Sequence, residues 1–248
     1  MSRDNPGAGP ATGAWTVHDE RGTDEQLLEQ VAGIARELSE VDGLQATLQH
    51  IVDLGEGLLE HCHGVSLMLI VRGGAIETPA ASSQVAHDSD LLQYATGEGP
   101  CLSAIRDHET VLMQDLEKEE RWPTYRDAAL RLGVRSMVSF RLFVTDDSLG
   151  ALDLYSRRPN AFDQRSVLLG QVFAAQASVA LKAVFTEVGL QAAIRSRDVI
   201  GQAKGIVMAR RHVTPDAAFA ILRQLSQDRN EKLVDLAEQI AATGEVPS

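Results

Sequence analysis

The stretch from Asp163 to Arg211, DQRSVLLGQVFAAQASVALKAVFTEVGLQAAIRSRDVIGQAKGIVMARR, contains no proline and no cluster of polar turn residues. Asp163 is a good N-cap, because its short carboxylate accepts from the free N–H groups of a first helical turn. His212-Val213 breaks the pattern at the other end. One helix over the whole stretch is about 70 Å long at 1.5 Å per residue. No single globular core needs an element of that length. The pattern therefore predicts a helix that leaves one domain, enters a second and finds a partner on the way. Val172, Val179 and Leu190 are candidates for a two-stranded seam, in an imperfect heptad register. A homodimer is expected.

The chain has 248 residues, 44% of them hydrophobic, so it can build one large packed domain or two modest ones. Residues 1–23 are rich in Gly, Pro, Ala and Thr without periodicity, and read as a disordered tail. Thr23 with Gln26 forms a capping-box pattern ahead of an amphipathic helix through Leu38. A second helix carries Leu44, Leu48, Ile51, Val52, Leu58 and Leu59 and is ended by Gly64. Val65–Val71 and Ala75–Ala81 read as strands joined by the turn Arg72-Gly73-Gly74. A short helix around Ser89–Ala95 leads into Gly97-Glu98-Gly99-Pro100-Cys101, where Pro100 suits the first position of a helix through Asp107. Thr110–Gln114 is another strand, and Trp122-Pro123 opens a helix that Leu132-Gly133 closes. Ser136–Val144 and Leu149–Tyr155 form a hairpin. The order describes an α+β fold, with an antiparallel sheet and flanking helices over residues 24–182, then the long connecting helix.

Beyond it, Thr214-Pro215-Asp216 supplies an N-cap, a first-turn proline and a first-turn acid. Ala218, Phe219, Leu222 and Leu225 share one apolar face, and Phe219 is expected in the core. Asn230 reads as the cap of a last helix with Leu233, Ala237 and Ile240. Residues 183–248 thus form a three-helix unit whose first helix is the end of the long one.

The net charge of −12 is unevenly spread. Residues 195–232 carry 8 Lys/Arg against 4 Asp/Glu, while residues 1–194 carry 15 against 28. A basic window inside an acidic protein is either a nucleic-acid surface or a solvated helix face. There is no P-loop, GxSxG, HExxH or glycine-rich dinucleotide turn, so no enzymatic activity and no cofactor are expected. Cys62 and Cys101 are not in a disulfide or metal spacing. The adjacent His61-Cys62-His63 cannot close a tetrahedral site, so no metal is expected. Cys101, near a helix N-terminus, is either a stabilised thiolate or a packed small residue. Asn5, Pro6 and Gly7 stand where a secretory signal would be apolar, and Val65–Val71 is too short to cross a bilayer. A cytoplasmic protein without membrane contact is expected.

The segment Arg197-Asp198-Val199-Ile200-Gly201-Gln202-Ala203-Lys204-Gly205-Ile206-Val207-Met208 resembles the opening helix of ANTAR domains. Ala218-Phe219, Leu222-Arg223 and Ser226 resemble their second helix, and Asn230, Lys232-Leu233 and Ala237 their third. The resemblance covers residues 187–243 in order. It implies an RNA-binding unit that recognises paired stem-loops in leader transcripts and prevents termination. The preceding unit resembles a GAF domain, by element order and by Gly97-Glu98-Gly99-Pro100-Cys101. That implies a sensory or dimerisation module with an unidentified small-molecule ligand. The phosphorylated receiver domain of many ANTAR proteins has no motif here.

Within that reading, Arg197, Lys204, Gly205, Met208, Arg211, Arg223, Ser226, Gln227, Asn230 and Lys232 are the candidate RNA-binding residues. Arg197, Lys204, Met208 and Arg211 recur at steps that share one helix face. Gly201 and Gly205 each cost about 1 kcal/mol relative to Ala inside a helix. Either a bulky partner approaches the bare backbone there, or another helix crosses tightly. Arg223 offers a bidentate fork, and Ser226, Gln227 and Asn230 offer mixed donors and acceptors for splayed bases. The rival readings are a DNA-binding regulator of helix-turn-helix type and a protein-interaction signalling module that binds no RNA.

Overall fold

The computed structural model describes residue 29 and residues 32–71, 73–107, 110–144 and 147–247. The expected tail and the Thr23–Gln26 capping box lie outside the described residues. Residues 32–39 form helix α1. The elements that follow are α2 (Leu44–Leu58), β1 (Gly64–Ile70), β2 (Ile76–Ala81), α3 (Gln84–Thr96), α4 (Pro100–Asp107) and β3 (Val111–Met113). After a single 3-10 turn at Leu116–Lys118 come α5 (Pro123–Arg131), β4 (Ser136–Val144) and β5 (Asp147–Ser156). The chain closes with α6 (Gln164–Arg211), α7 (Pro215–Asp228) and α8 (Leu233–Thr243).

The five strands form one antiparallel sheet in the order β2-β1-β5-β4-β3. Antiparallel sheets often face water on one side. Here both faces are covered, and this is why β1 reads as the unbroken run Gly-Val-Ser-Leu-Met-Leu-Ile and is buried along almost its whole length. One face presents Leu67, Val138, Phe140, Leu152 and Leu154 to Ile51 and Val52 of α2 and to Phe173, Ala177 and Leu181 of α6. Gly170 lets α6 sit directly on the Phe140 ring, since a Cβ there would lie 2.2 Å from its Cζ. The other face presents Met68, Met137, Ala151 and Tyr155 to α3, α4 and α5.

The long helix forms as one element of 48 residues, with the Asp163 carboxylate accepting from the Ser166 N–H at 2.8 Å. His212 ends it in the left-handed region. By length and hydropathy this helix contains a stretch apolar enough to cross a membrane. Its apolar residues Phe173, Ala174, Ala177 and Leu181 are instead core residues of the sheet domain. Past that domain, α6 packs with α7 and α8 around a third core of Ala203, Val207, Ala218, Leu222, Leu236, Ala237 and Ile240.

Three local expectations are corrected. Helix α3 begins at Gln84, one and a half turns before Ser89, with the Ser83 hydroxyl accepting from the Ala86 N–H. Its buried positions include Ser89, Asp90 and Gln93, so no apolar stripe announces it. Helix α2 ends at Leu58, and Gly64 instead opens β1. Asn230 does not cap α8: it sits at φ 49 in the turn after α7, and Lys232 is the N-cap residue, without a side-chain hydrogen bond.

Candidate nucleic-acid interface

The seam between α6 and α7 opens into a groove of about 550 Å³, lined by Ala193, Ser196, Arg197, Ile200, Gly201, Lys204 and Phe219. Helical geometry places its walls. Ala203 and Val207 turn into the core, fully buried, while Arg197 and Lys204 lie on the adjacent face at a seven-residue step. Lys204 is half-buried and Arg197 is exposed. On α7, Ala218 and Leu222 are fully buried. Phe219 follows Ala218 by about 100° of helical rotation and so leaves the core. It is 39% exposed at the groove, which corrects the expectation of a core residue. Arg223 and Gln227, both exposed, continue the Phe219 stripe at four-residue steps.

The other candidate residues are dispersed. Gly205 is exposed at the edge of this face. Met208 is half-buried against the three-helix core, which removes it from the polar face on which it was expected. Arg211 reaches the Pro247 carbonyl at 3.4 Å. The Ser226 hydroxyl donates to the Glu231 carbonyl at 2.6 Å and so builds the turn between α7 and α8. Lys232 is exposed at the start of α8. The helix-crossing explanation of the two glycines also falls within this chain: a Cβ on Gly201 or Gly205 would meet nothing within 4 Å. The sequence reading missed Phe219 and Ser196 as groove residues. The signal for Phe219 was its position at the rim of the apolar stripe rather than its centre.

A GAF domain model matches residues 23–182, and an ANTAR domain model matches residues 189–240. The chain belongs to the GAF family and carries the GAF–ANTAR architecture of antitermination regulators. That architecture is one of transcription regulators, and its ANTAR domain is an RNA-binding module. The sheet domain resembles the GAF domain of an Acinetobacter phosphoenolpyruvate-protein phosphotransferase, at TM-score 0.52 and 14% identity over 66% of this chain and 98% of that one. The cyanobacteriochrome TePixJ GAF domain is similar at TM-score 0.50 and 19% identity, over 60% of this chain and 95% of that one. Identities this low establish the fold alone. No curated protein matches the chain.

Each residue of the 97–101 motif has a structural role. Gly97 ends α3 at φ 67. The Glu98 carboxylate caps α5, accepting from the Thr124 N–H at 2.8 Å and the Tyr125 N–H at 3.3 Å. Gly99 sits at φ 142 with the Gln93 amide where a Cβ would be, and that amide accepts from the Cys101 N–H at 2.9 Å. Cys101 is fully buried beside the Met68 sulfur, and burial pushes its thiol up, the opposite of a stabilised thiolate.

Beneath this motif lies a buried polar row. Strand register aligns Ser66 of β1, Asp153 of β5 and Ser139 of β4, all fully buried. Among the described residues, neither Asp153 oxygen has a hydrogen-bond partner of good geometry. Asp90 of α3 faces the same space, accepting from Thr78 at 2.8 Å and from the Tyr155 hydroxyl. Burial pushes Asp90 up to about 6, and burial together with the nearby Asp90 raises Asp153 well above the usual carboxylate range. The sign follows from linkage. The folded state holds these protons more tightly than the unfolded chain, so the stabilisation from Asp90 is complete below pH 4 and is lost as pH rises through about 6, and Asp153 acts in the same direction. The GAF melting temperature is therefore expected to fall between pH 5 and pH 8. Asp153→Asn should flatten that fall and raise the melting temperature at pH 8. An unchanged pH profile in the variant would contradict it.

Proposed function

We propose that this GAF–ANTAR protein acts in the cytoplasm on nascent transcripts, recognising paired stem-loops through its three-helix unit and so preventing termination. The carrying observation is the groove in which Arg197 and Lys204 flank the bare backbone of Gly201, inside the one basic window of an acidic chain. Cations on a rigid helix hold phosphates, and polar groups on the second helix are free for bases. The domain division that goes with this reading is a sensory unit over residues 24–182 and an RNA-binding unit over residues 183–248.

Two stem-loops call for two such units, and α6 offers the surface to join them. Leu168, Val179 and Leu190 are exposed at eleven-residue steps, with Ile194 beside Leu190. Val179 is 67% and Leu190 is 61% exposed, large values for apolar side chains on a soluble regulator. An eleven-residue repeat replaces the imperfect heptad, because it keeps one stripe on a nearly straight helix. A second copy of α6 is the occupant that matches its length and apolarity.

The test is to crosslink the protein to cellular RNA and sequence what is recovered, with sedimentation of the purified chain alongside. Recurrent pairs of short hairpins upstream of terminators, and a dimer at micromolar concentration, are the expected results. Recovery of no RNA, or of duplex DNA in preference, would overturn the reading.

A further inference from the structure

Phe219 is the only Phe, Tyr or Trp among residues 189–240, and it is not where an aromatic contributes most to stability. Its neighbours Ala218 and Leu222 are fully buried, yet the phenyl ring lies 39% exposed on the wall of the α6/α7 groove. Across the groove stands Gly201, a residue that weakens a helix interior. No side chain of the chain packs into the space its missing Cβ leaves. The groove therefore has an apolar ring on one side, bare backbone on the other, and nothing of its own between them. Arg197 lies one turn before Gly201 and Lys204 just under one turn after it, so the opening is bracketed by two cations about 10 Å apart along the helix axis.

Flat, apolar-faced and negatively tethered is the description of an unpaired nucleobase on its sugar–phosphate strand. We propose that Phe219 is the stacking platform for one base extruded from a hairpin loop, with Gly201 leaving room for that base and Arg197 and Lys204 holding the phosphates on either side of it. The inference rests on the RNA-binding reading and adds to it a single aromatic contact that an RNA duplex, with its bases stacked on one another, does not offer. Base–aromatic stacking tolerates every base because each has a π-face. Phe219 thus supplies affinity for a loop rather than a choice of base, and the polar residues Arg223 and Gln227 on the same stripe supply the choice.

The experiment uses the full chain and a hairpin RNA carrying 2-aminopurine at each loop position in turn. Stacking on Phe219 quenches the probe at one loop position on binding. Phe219→Ala and Phe219→Leu abolish that quench and weaken binding about tenfold to a hundredfold, while Phe219→Tyr keeps both. The leucine variant separates stacking from mere apolar contact. Because the ring sits at the rim of the core, circular dichroism melts of all three variants accompany the titration. Removing the base at the quenched position should make wild type and Phe219→Ala bind equally, the signature of one shared contact. The slope of affinity against salt stays that of the wild type in these variants, since no cation is lost. A wild-type quench and affinity in Phe219→Leu overturns the stacking role and leaves the RNA reading standing. No hairpin binding by the wild type overturns both. A shift in dimer dissociation without a change in RNA affinity assigns the groove to a second copy and overturns the proposal.

Discussion

Leu222→Ala is expected to unfold the three-helix unit and abolish RNA binding while leaving the GAF transition in place. Leu222 is fully buried at the centre of a core in which Ala203, Ala218 and Ala237 supply little volume. Removing it costs about 2–5 kcal/mol, from the lost transfer free energy and the cavity left behind. A unit of this size draws only about 3–5 kcal/mol from its core, so the loss equals what holds it together. Circular dichroism melts with hairpin titrations check this: the helical signal of the unit should be lost first and RNA affinity with it. A variant that melts like the wild type would mean that α7 is held by something other than this core.

Gly150→Ala should have the larger effect on the GAF domain. Gly150 lies at φ 153 on β5, opposite Leu69 of β1 and Leu142 of β4. A Cβ there would fall 1.7 Å from the Met68 carbonyl oxygen and 2.8 Å from the Leu69 Cα. Both obstacles are backbone, so no rotamer change relieves them, and β1 must part from β5 in the middle of the sheet. A cost above about 4 kcal/mol is expected, in the range reserved for broken cores and strained backbone. Gly133→Ala is the control. It shares a positive φ, of 87, but has nothing within 4 Å of its Cβ position, so only the left-handed strain of about 1–2 kcal/mol applies. Thermal melts of the two variants should therefore separate clearly. Equal melts would show that the sheet yields where the geometry says it cannot.

The parts of the molecule set by local rules were legible in the sequence. Helix α6 runs from its Asp163 cap to its end before His212 because caps and breakers act within one turn. The same holds for Pro100 at the start of α4 and for Thr214-Pro215 at the start of α7. What local rules do not fix was missed. The row Ser66–Asp153–Ser139 joins residues far apart in the chain and exists only through strand register. The first turns of α3 were hidden because that helix buries polar groups against Tyr155 and Tyr125. In the candidate site, the cations Arg197 and Lys204 fell together as their spacing required, but Phe219 did not join the core. An aromatic 100° from a buried neighbour sits at the margin of an apolar stripe, and the depth of the facing helix decides whether it is covered. Ser226 and Asn230 were read as base contacts, yet the turn between α7 and α8 uses the Ser226 hydroxyl and the Asn230 backbone.

The most direct test is the salt dependence of hairpin binding in wild type and Lys204→Ala. A two-hairpin RNA is titrated with each protein at several salt concentrations, with duplex DNA of matched length as competitor. The groove reading predicts that log affinity falls linearly with log salt for the wild type. It predicts a slope smaller by about one counterion for Lys204→Ala, with an unchanged melting temperature and no displacement by the DNA. Equal slopes and affinities for the two proteins, or a wild type that binds no hairpin in a salt-dependent way, would contradict it.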